Sequence, residues 1–362
     1  MKELFQKRII KLREFLNNPG EAILINNEVN IGYFCGFFHS EGYLLVTCNS
    51  VNLLVDFRYF EAAQKKAIGA NVICFNKLTE SIIRILKDEN ISNLYFESES
   101  ITVSKFQFFK RNLSEDNFHC VSGGGLDSHI QNIRMIKDKT ELEKIQTAQN
   151  IAEKSYLEML NFLKPGITER ELSARLEFYM KMNGAEDISF DLITITGKKT
   201  SLPHGVPSDD VVKEGDFFTC DFGSVYEGYH SDTTRTVAVG FATDQMAEIY
   251  DIVLKAQLAA LEKIKSGVKC CEIDITARDI ITDAGYGDCF GHSTGHGVGL
   301  DIHEQPYVSQ KSDTVLKSGM IITDEPGIYL PNQFGVRIED MLCVTESGYK
   351  NFVSLPKELI VI

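Results

Sequence analysis

The stretch Thr219–Thr236, TCDFGSVYEGYHSDTTRT, constrains this chain more than any other. It sets Asp221 and Asp232 at equal distances from a turn centred on Tyr226 and Glu227. Read as a β-hairpin, it puts the two aspartates directly opposite each other, with Cβ atoms ~5 Å apart on one face. Carboxylates that close repel and desolvate each other unless a positive charge lies between them. A divalent cation meets that need, and oxygen ligands suit hard and borderline metals. The pattern recurs further on. Glu325 and Glu339 flank LPNQF with Asn332 at the midpoint, and the surrounding residues read as strand, turn, strand. A three-residue turn at 331–333 makes the two glutamates a second cross-strand pair. Four carboxylates exceed the needs of one cation, whereas two metals with bridging carboxylates use them all and leave a place for nitrogen.

Imidazoles for that place cluster in FGHSTGHGVGLDIHEQP, residues 290–306, where His292, His296 and His303 stand among glycines. Glycine lets the backbone approach closely and adopt unusual dihedrals. His204 lies in a Pro- and Gly-rich loop, SLPHGVPS, and His230 stands beside Ser231-Asp232. Taken singly, each acid or imidazole has a plainer reading as a solvated turn or loop residue. Glu325 resists it most, because an unpaired charge in an apolar strand is costly.

The bulk numbers exclude other classes. A net charge of −14 argues against nucleic acid and against electrostatic docking on anionic membranes. The first residues, MKELFQKRIIKLREFL, make an amphipathic helix and a poor signal peptide. No apolar run approaches the roughly 20 residues that a spanning helix needs. Nine cysteines, an odd number without CxxC, read as reduced thiols in a cytoplasmic protein.

Along the chain, a helix over 2–17 is expected, then strands EAILI, GYLLVT, NLLVDF, NVICF and NLYFES with helical patterns at 58–68 and 79–88. HCVSGGGLDSHI reads as a turn-rich link. This gives an N-terminal α/β domain, residues 1–133, and a second domain, 134–362. In the latter, capping boxes at Thr140–Glu143 and Thr168–Glu171 open two helices, and Asp244–Lys265 and Glu272–Ala284 repeat the pair. The order is helix, helix, hairpin, twice over, as an internal duplication would give.

DFG…YHSDTTRT, HSTGHGVGLDIHE, TDEPGIY and GVRIED occur in order over about 120 residues. Together they resemble the dinuclear metallopeptidases of the pita-bread fold, shared by methionine aminopeptidase, prolidase and aminopeptidase P. The N-terminal half points to the Xaa-Pro branch, since methionine aminopeptidases lack such a domain. The fold class implied is α/β: an N-terminal α/β domain with a mixed sheet of the creatinase/prolidase type, plus a C-terminal pita-bread catalytic domain. GFFHSEGYLLVT and VDFRYFEAA resemble the aminopeptidase P patterns GS-x-G and DGRY, with His39 and Phe57 standing where glycines would be.

Carried over residue by residue, the resemblance implies metal ligands Asp221, Asp232, His296, Glu325 and Glu339, with Asp232 and Glu339 bridging. It implies His204 and His303 as substrate-contacting histidines, Glu325 as general base, and Arg337 as an active-site residue that holds a carboxylate. His292 and His230 are expected to support the site, and Arg235 to act structurally. Two divalent ions per chain are implied, Mn²⁺ first, with Co²⁺ and Zn²⁺ tolerated by an O-rich set. The partners implied are peptides with proline at the second position and a second copy of the chain in a homodimer. The leading expectation is an Xaa-Pro aminopeptidase. Its alternative is an Xaa-Pro dipeptidase (prolidase), and a non-catalytic pita-bread binding protein comes last, because such relatives lose the acidic ligands.

Overall fold

In the computed structural model, residues 2–38 and 41–362 are described, so His39 lies outside the described residues. The chain divides into two compact units, Met1–Arg134 and Met135–Ile362.

The first unit is built on a six-stranded mixed sheet. Its strand order is Asn71–Cys74, Val51–Val55, Tyr43–Thr47, Glu21–Ile25, Asn93–Phe96, His119–Ser122. The Tyr43–Thr47 strand is antiparallel to both neighbours, and the outer pairings are parallel. The central strands are buried throughout, which explains their unbroken apolar runs. One face packs Leu24, Leu45, Leu54 and Phe96 against Ile82, Leu86 and Phe109 of the covering helices. Three helices were not expected from the sequence: Glu28–Cys35, Val103–Ser114 and Leu126–Met135. HCVS is a strand, with the turn confined to Gly123–Gly125, all at positive φ. The first helix runs over Lys2–Arg13 rather than to 17. Phe57 opens the helix Phe57–Lys66 and is 82% exposed.

The second unit opens with Lys139–Leu160 and Glu169–Met182. The first of these is capped by Asp138 with Glu141, not by Thr140, because Asp138 accepts from the Thr140 and Glu141 amides. The second has the expected Thr168–Glu171 box. Helix Asp244–Lys263 buries Met246, Ile249, Tyr250, Val253, Ala256 and Ala260, a stripe at helical spacing. With Cys270–Asp283 it covers the apolar side of the hairpins, at Ile322, Ile328, Val336 and Leu342. The hairpins thus turn one face to this core and the other, polar face to a cavity.

Candidate metal centre

In the first acidic hairpin, Phe217–Phe222 pairs with Thr233–Ala238 so that Asp221 lies opposite Thr234. The turn is Glu227–Gly228, both at positive φ (46° and 78°), the two-residue type that matches strand twist. The expected centre at Tyr226 and Glu227 is therefore one residue off. Asp232 faces Gly223, and Asp221 is its diagonal neighbour on the same face. A Cβ at Gly223 would sit 1.8 Å from the Ser231 carbonyl oxygen, so only glycine lets the strands pass there.

The second hairpin follows the expected register. Asp324 pairs with Asp340, Gly327 with Arg337 and Leu330 with Phe334, which sets Glu325 opposite Glu339. The three-residue turn 331–333 has Asn332 at φ 60°. Pro326, without an N–H, interrupts the ladder. At that break the Glu325 amide donates to Thr294 O (2.8 Å) and the Glu339 amide to Thr234 O (3.2 Å). Those two bonds join the hairpin to the histidine segment and to the first hairpin.

His204, Asp221, Asp232, His296, His303, Glu325, Arg337 and Glu339 all line one cavity of about 900 Å³. One ligand atom each from Asp232, His296 and Glu339 lie within 4.8 Å of one another, and all three residues are buried. Asp221 and Glu325 stand outside that tightest group. His296 Nδ1 faces the Gly297 carbonyl at 3.0 Å, which leaves Nε2 toward Asp232 (3.4 Å) and Glu325 (3.5 Å). Asp221 Oδ1 is buried and has no hydrogen-bond partner among the described residues.

Burial, with the neighbouring acids, pushes Asp232 up to about 6, Glu325 up to about 7 and Glu339 well above the carboxylate range. Burial works against a charged His296, but Asp232 and Glu325 outweigh it and lift the ring to about 9. Without a cation, then, the cluster holds protons where positive charge is wanted. An orphaned Asp221 oxygen, a His296 nitrogen turned toward two acids and three carboxylates raised above their ordinary range form a donor set that suits divalent metal.

Behind these acids and His296 runs a second layer of hydrogen bonds. Arg337 donates to Asp221 Oδ2 (2.7 Å), Thr234 Oγ1 (3.0 Å), Tyr329 Oη (2.9 Å) and Pro203 O (3.3 Å). The carboxylate held by Arg337 is therefore that of Asp221. Thr234 Oγ1 donates to Glu339 Oε2 (2.7 Å), so one strut reaches both hairpins. His292 Nε2 meets Tyr329 Oη at 2.9 Å, and burial lowers that ring to about 4. His230 Nδ1 meets Ser189 Oγ at 3.0 Å. Arg235 joins Asp340 (2.8 Å) to the Glu339 and Leu355 carbonyls, away from the cavity-lining side chains. Tyr329 and Thr234 were not singled out in the sequence. Period two along the strands would have found them, since Tyr329 shares a face with Glu325, and Thr234 with Asp232.

Residues 143–346 match the model of metallopeptidase family M24, and residues 8–136 match the creatinase/prolidase N-terminal domain. The chain belongs to metallopeptidase family M24. An Xaa-Pro dipeptidase of Pyrococcus furiosus is 41% identical over 98% of this chain and 100% of its own length. A solved Xaa-Pro dipeptidase from Bacillus anthracis superposes with a TM-score of 0.94 at 40% identity, covering 99% of this chain and 100% of that one. An X-Pro aminopeptidase from Thermotoga maritima gives 0.89 at 35% identity, covering 98% and 99%. The expected pairing of a creatinase-type N-terminal domain with a pita-bread domain stands. Membership in M24 makes the chain a metallo-exopeptidase and implies divalent metal, which the buried donor set fits.

Proposed function

We propose that this M24 member hydrolyses the peptide bond on the amino side of proline, with Xaa-Pro dipeptides as its leading substrates. The observation that carries the chemistry is the convergence of both acidic hairpins and His296 on one cavity. The dipeptide preference is supported by relatives about 40% identical that bear the name Xaa-Pro dipeptidase. An Xaa-Pro aminopeptidase acting on longer peptides is the second reading. It is favoured by the cavity volume of about 900 Å³, more than a dipeptide fills.

Asp221, Asp232, His296, Glu325 and Glu339 would hold two divalent ions, Mn²⁺ first. When bound, such ions supply Lewis acidity and acidify water near neutral pH. Glu325, which lines the cavity beside His296, would accept a proton from the attacking water and return it to the proline nitrogen. His303 stands against His296, ring centroids 4.4 Å apart, and is exposed at the cavity. Partial desolvation lowers it, so it donates to the carbonyl oxygen as a neutral ring. His204, at the exposed rim, orients the substrate. Arg337 has its guanidinium committed to Asp221, Thr234 and Tyr329, and sets the geometry of Asp221.

The test is a matched pair, Ala-Pro and Ala-Pro-Ala, assayed with added Mn²⁺. Cleavage of both or either at the Xaa-Pro bond, and not of Ala-Ala, is expected. A higher kcat/KM on the dipeptide supports the leading reading, and a higher value on the tripeptide supports the second. Equal cleavage of Ala-Ala would sink the proline specificity.

A further inference from the structure

Among the residues given a chemical role, His204 lies on a loop, outside any helix or strand. It is exposed, and its ring has no hydrogen-bond partner among the described residues. Its position must come from the backbone of residues 197–207, between the strand Ile193–Thr196 and Ser208. What fixes that backbone is a buried carboxylate outside the cavity lining.

Glu169 opens the helix Glu169–Met182 and has no solvent exposure. Its Oε1 accepts from the Thr196 amide at 2.8 Å. Its Oε2 accepts from the Ser208 amide (2.9 Å), Ser208 Oγ (3.1 Å) and Lys199 Nζ (2.5 Å). Thr196 and Ser208 are the residues that bracket the loop, so one side chain closes it at both ends. Lys199, inside the loop, supplies the countercharge that a buried carboxylate needs and also reaches Asp210 at 2.7 Å. The start of the same helix accepts the far strand of the loop, with the Glu169 and Arg170 amides donating to Asp210 O and Ser208 O (3.0 Å each). An acid in the first turn also suits the helix dipole. The middle of the loop is fastened to the second hairpin, where the Gly335 amide donates to Thr200 Oγ1 (2.9 Å) and Arg337 donates to Pro203 O. A Cβ on Gly335 would lie 2.2 Å from the Thr200 carbonyl oxygen, so the approach is close.

We infer that Glu169, with Lys199 and Ser208, is a positioning unit that sets the His204 loop at the cavity rim. It acts on the reaction through His204 and not through the metal ligands. The inference rests on the assignment of His204 to substrate binding.

Glu169→Gln tests it, because an amide places its NH₂ against the Ser208 and Lys199 donors. Misplacing a substrate-orienting group by about 1 Å costs on the order of 100-fold. The expected result is a 10- to 100-fold lower kcat/KM on Ala-Pro with metal content per chain unchanged. In the His204→Ala background the same substitution should cost less than about 2-fold, since non-additivity marks shared action. A second readout needs neither metal nor turnover: hydrogen exchange in the metal-free protein, where amides 197–208 should exchange faster while the hairpins do not. Ser208→Ala leaves the buried charge pair in place and should move both readouts the same way, by less. Equal cost of Glu169→Gln with and without His204 overturns the inference, and so does unchanged loop exchange in both variants. If His204→Ala itself keeps full kcat/KM, the His204 assignment is what fails, and the positioning role falls with it even if the loop loosens. Should Glu169→Gln not fold, Ser208→Ala alone decides by the same criteria.

Discussion

The hairpins Phe217–Ala238 and Ile321–Val344 deliver two carboxylates each, by different geometry. In the second, a three-residue turn puts Glu325 and Glu339 directly opposite, and Pro326 frees the ladder where they enter the site. In the first, a two-residue turn puts Asp232 opposite Gly223, with Asp221 on the diagonal. A missing Cβ makes the room there that a missing N–H makes in the other. Like-charged side chains can thus be gathered by exact register or by diagonal placement, and equal spacing in sequence does not tell which. What matters is that the residues on each strand differ by an even number, so that the acids share a face.

The sharpest way to break this comparison is to remove one carboxylate from the better-registered hairpin. Glu339→Gln keeps the size and removes the charge. Metal content by elemental analysis should fall below two per chain, and kcat should drop by more than the about 10- to 100-fold that loss of a ligand's hydrogen-bond partner typically costs. Normal metal content and turnover would remove Glu339 from the ligand set.

The histidines come next. His296→Ala should lose metal. His303→Ala should keep metal and lose about 10²- to 10³-fold in kcat, the usual cost of one oxyanion donor. His292 lines the cavity and meets Tyr329, with no contact to the acids, and His292→Ala should do less than either. A His292→Ala protein that loses metal while His296→Ala retains it would reverse the register assigned within HSTGH.

The two hairpin breaks can be compared directly. Gly223→Ala forces a Cβ onto the Ser231 carbonyl and should lower both metal affinity and melting temperature. Pro326→Ala should cost within about 1 kcal/mol, because restoring an N–H forces no clash. Similar, small effects for both would show that the first hairpin does not depend on its glycine.

What was legible in the sequence was the chemistry. The acid pairs, the histidine segment and their order could be read because ligand types and strand spacing are local properties. The first turn was misplaced because Glu227-Gly228 was not weighed as a two-residue turn, although glycine at its second position is a known signal. Helix Glu28–Cys35 was missed because it is short and nearly all buried, which leaves no amphipathic period to detect. The Glu169 tie and the Arg337 strut connect residues far apart in the chain, and nothing in local pattern reports such contacts.

The pH dependence is a smaller effect with a definite sign. Asp232 and Glu325 sit at about 6 and about 7 in the folded metal-free protein, above their ordinary 3.8 and 4.5, and Glu339 is also raised. Their contribution to stability is full at acidic pH and is lost as pH rises through about 7. His296, raised from 6.5 to about 9, contributes fully below 6.5 and loses this as pH rises through about 9. Both trends weaken the metal-free protein between about pH 5 and pH 9, whereas bound cations take the place of the protons. The gap in melting temperature between loaded and metal-free protein should therefore widen with pH over that window. A gap that narrows would contradict the charge assignment of the cluster.

The central claim is that both hairpins exist to hold catalytic metal, and one measurement reaches it directly. Protein stripped by exhaustive chelation, and shown by elemental analysis to be metal-free, is assayed on Ala-Pro before and after titration with Mn²⁺. The stripped protein should show no turnover, and recovery should saturate at two equivalents per chain. Full turnover by the verified metal-free protein would contradict it.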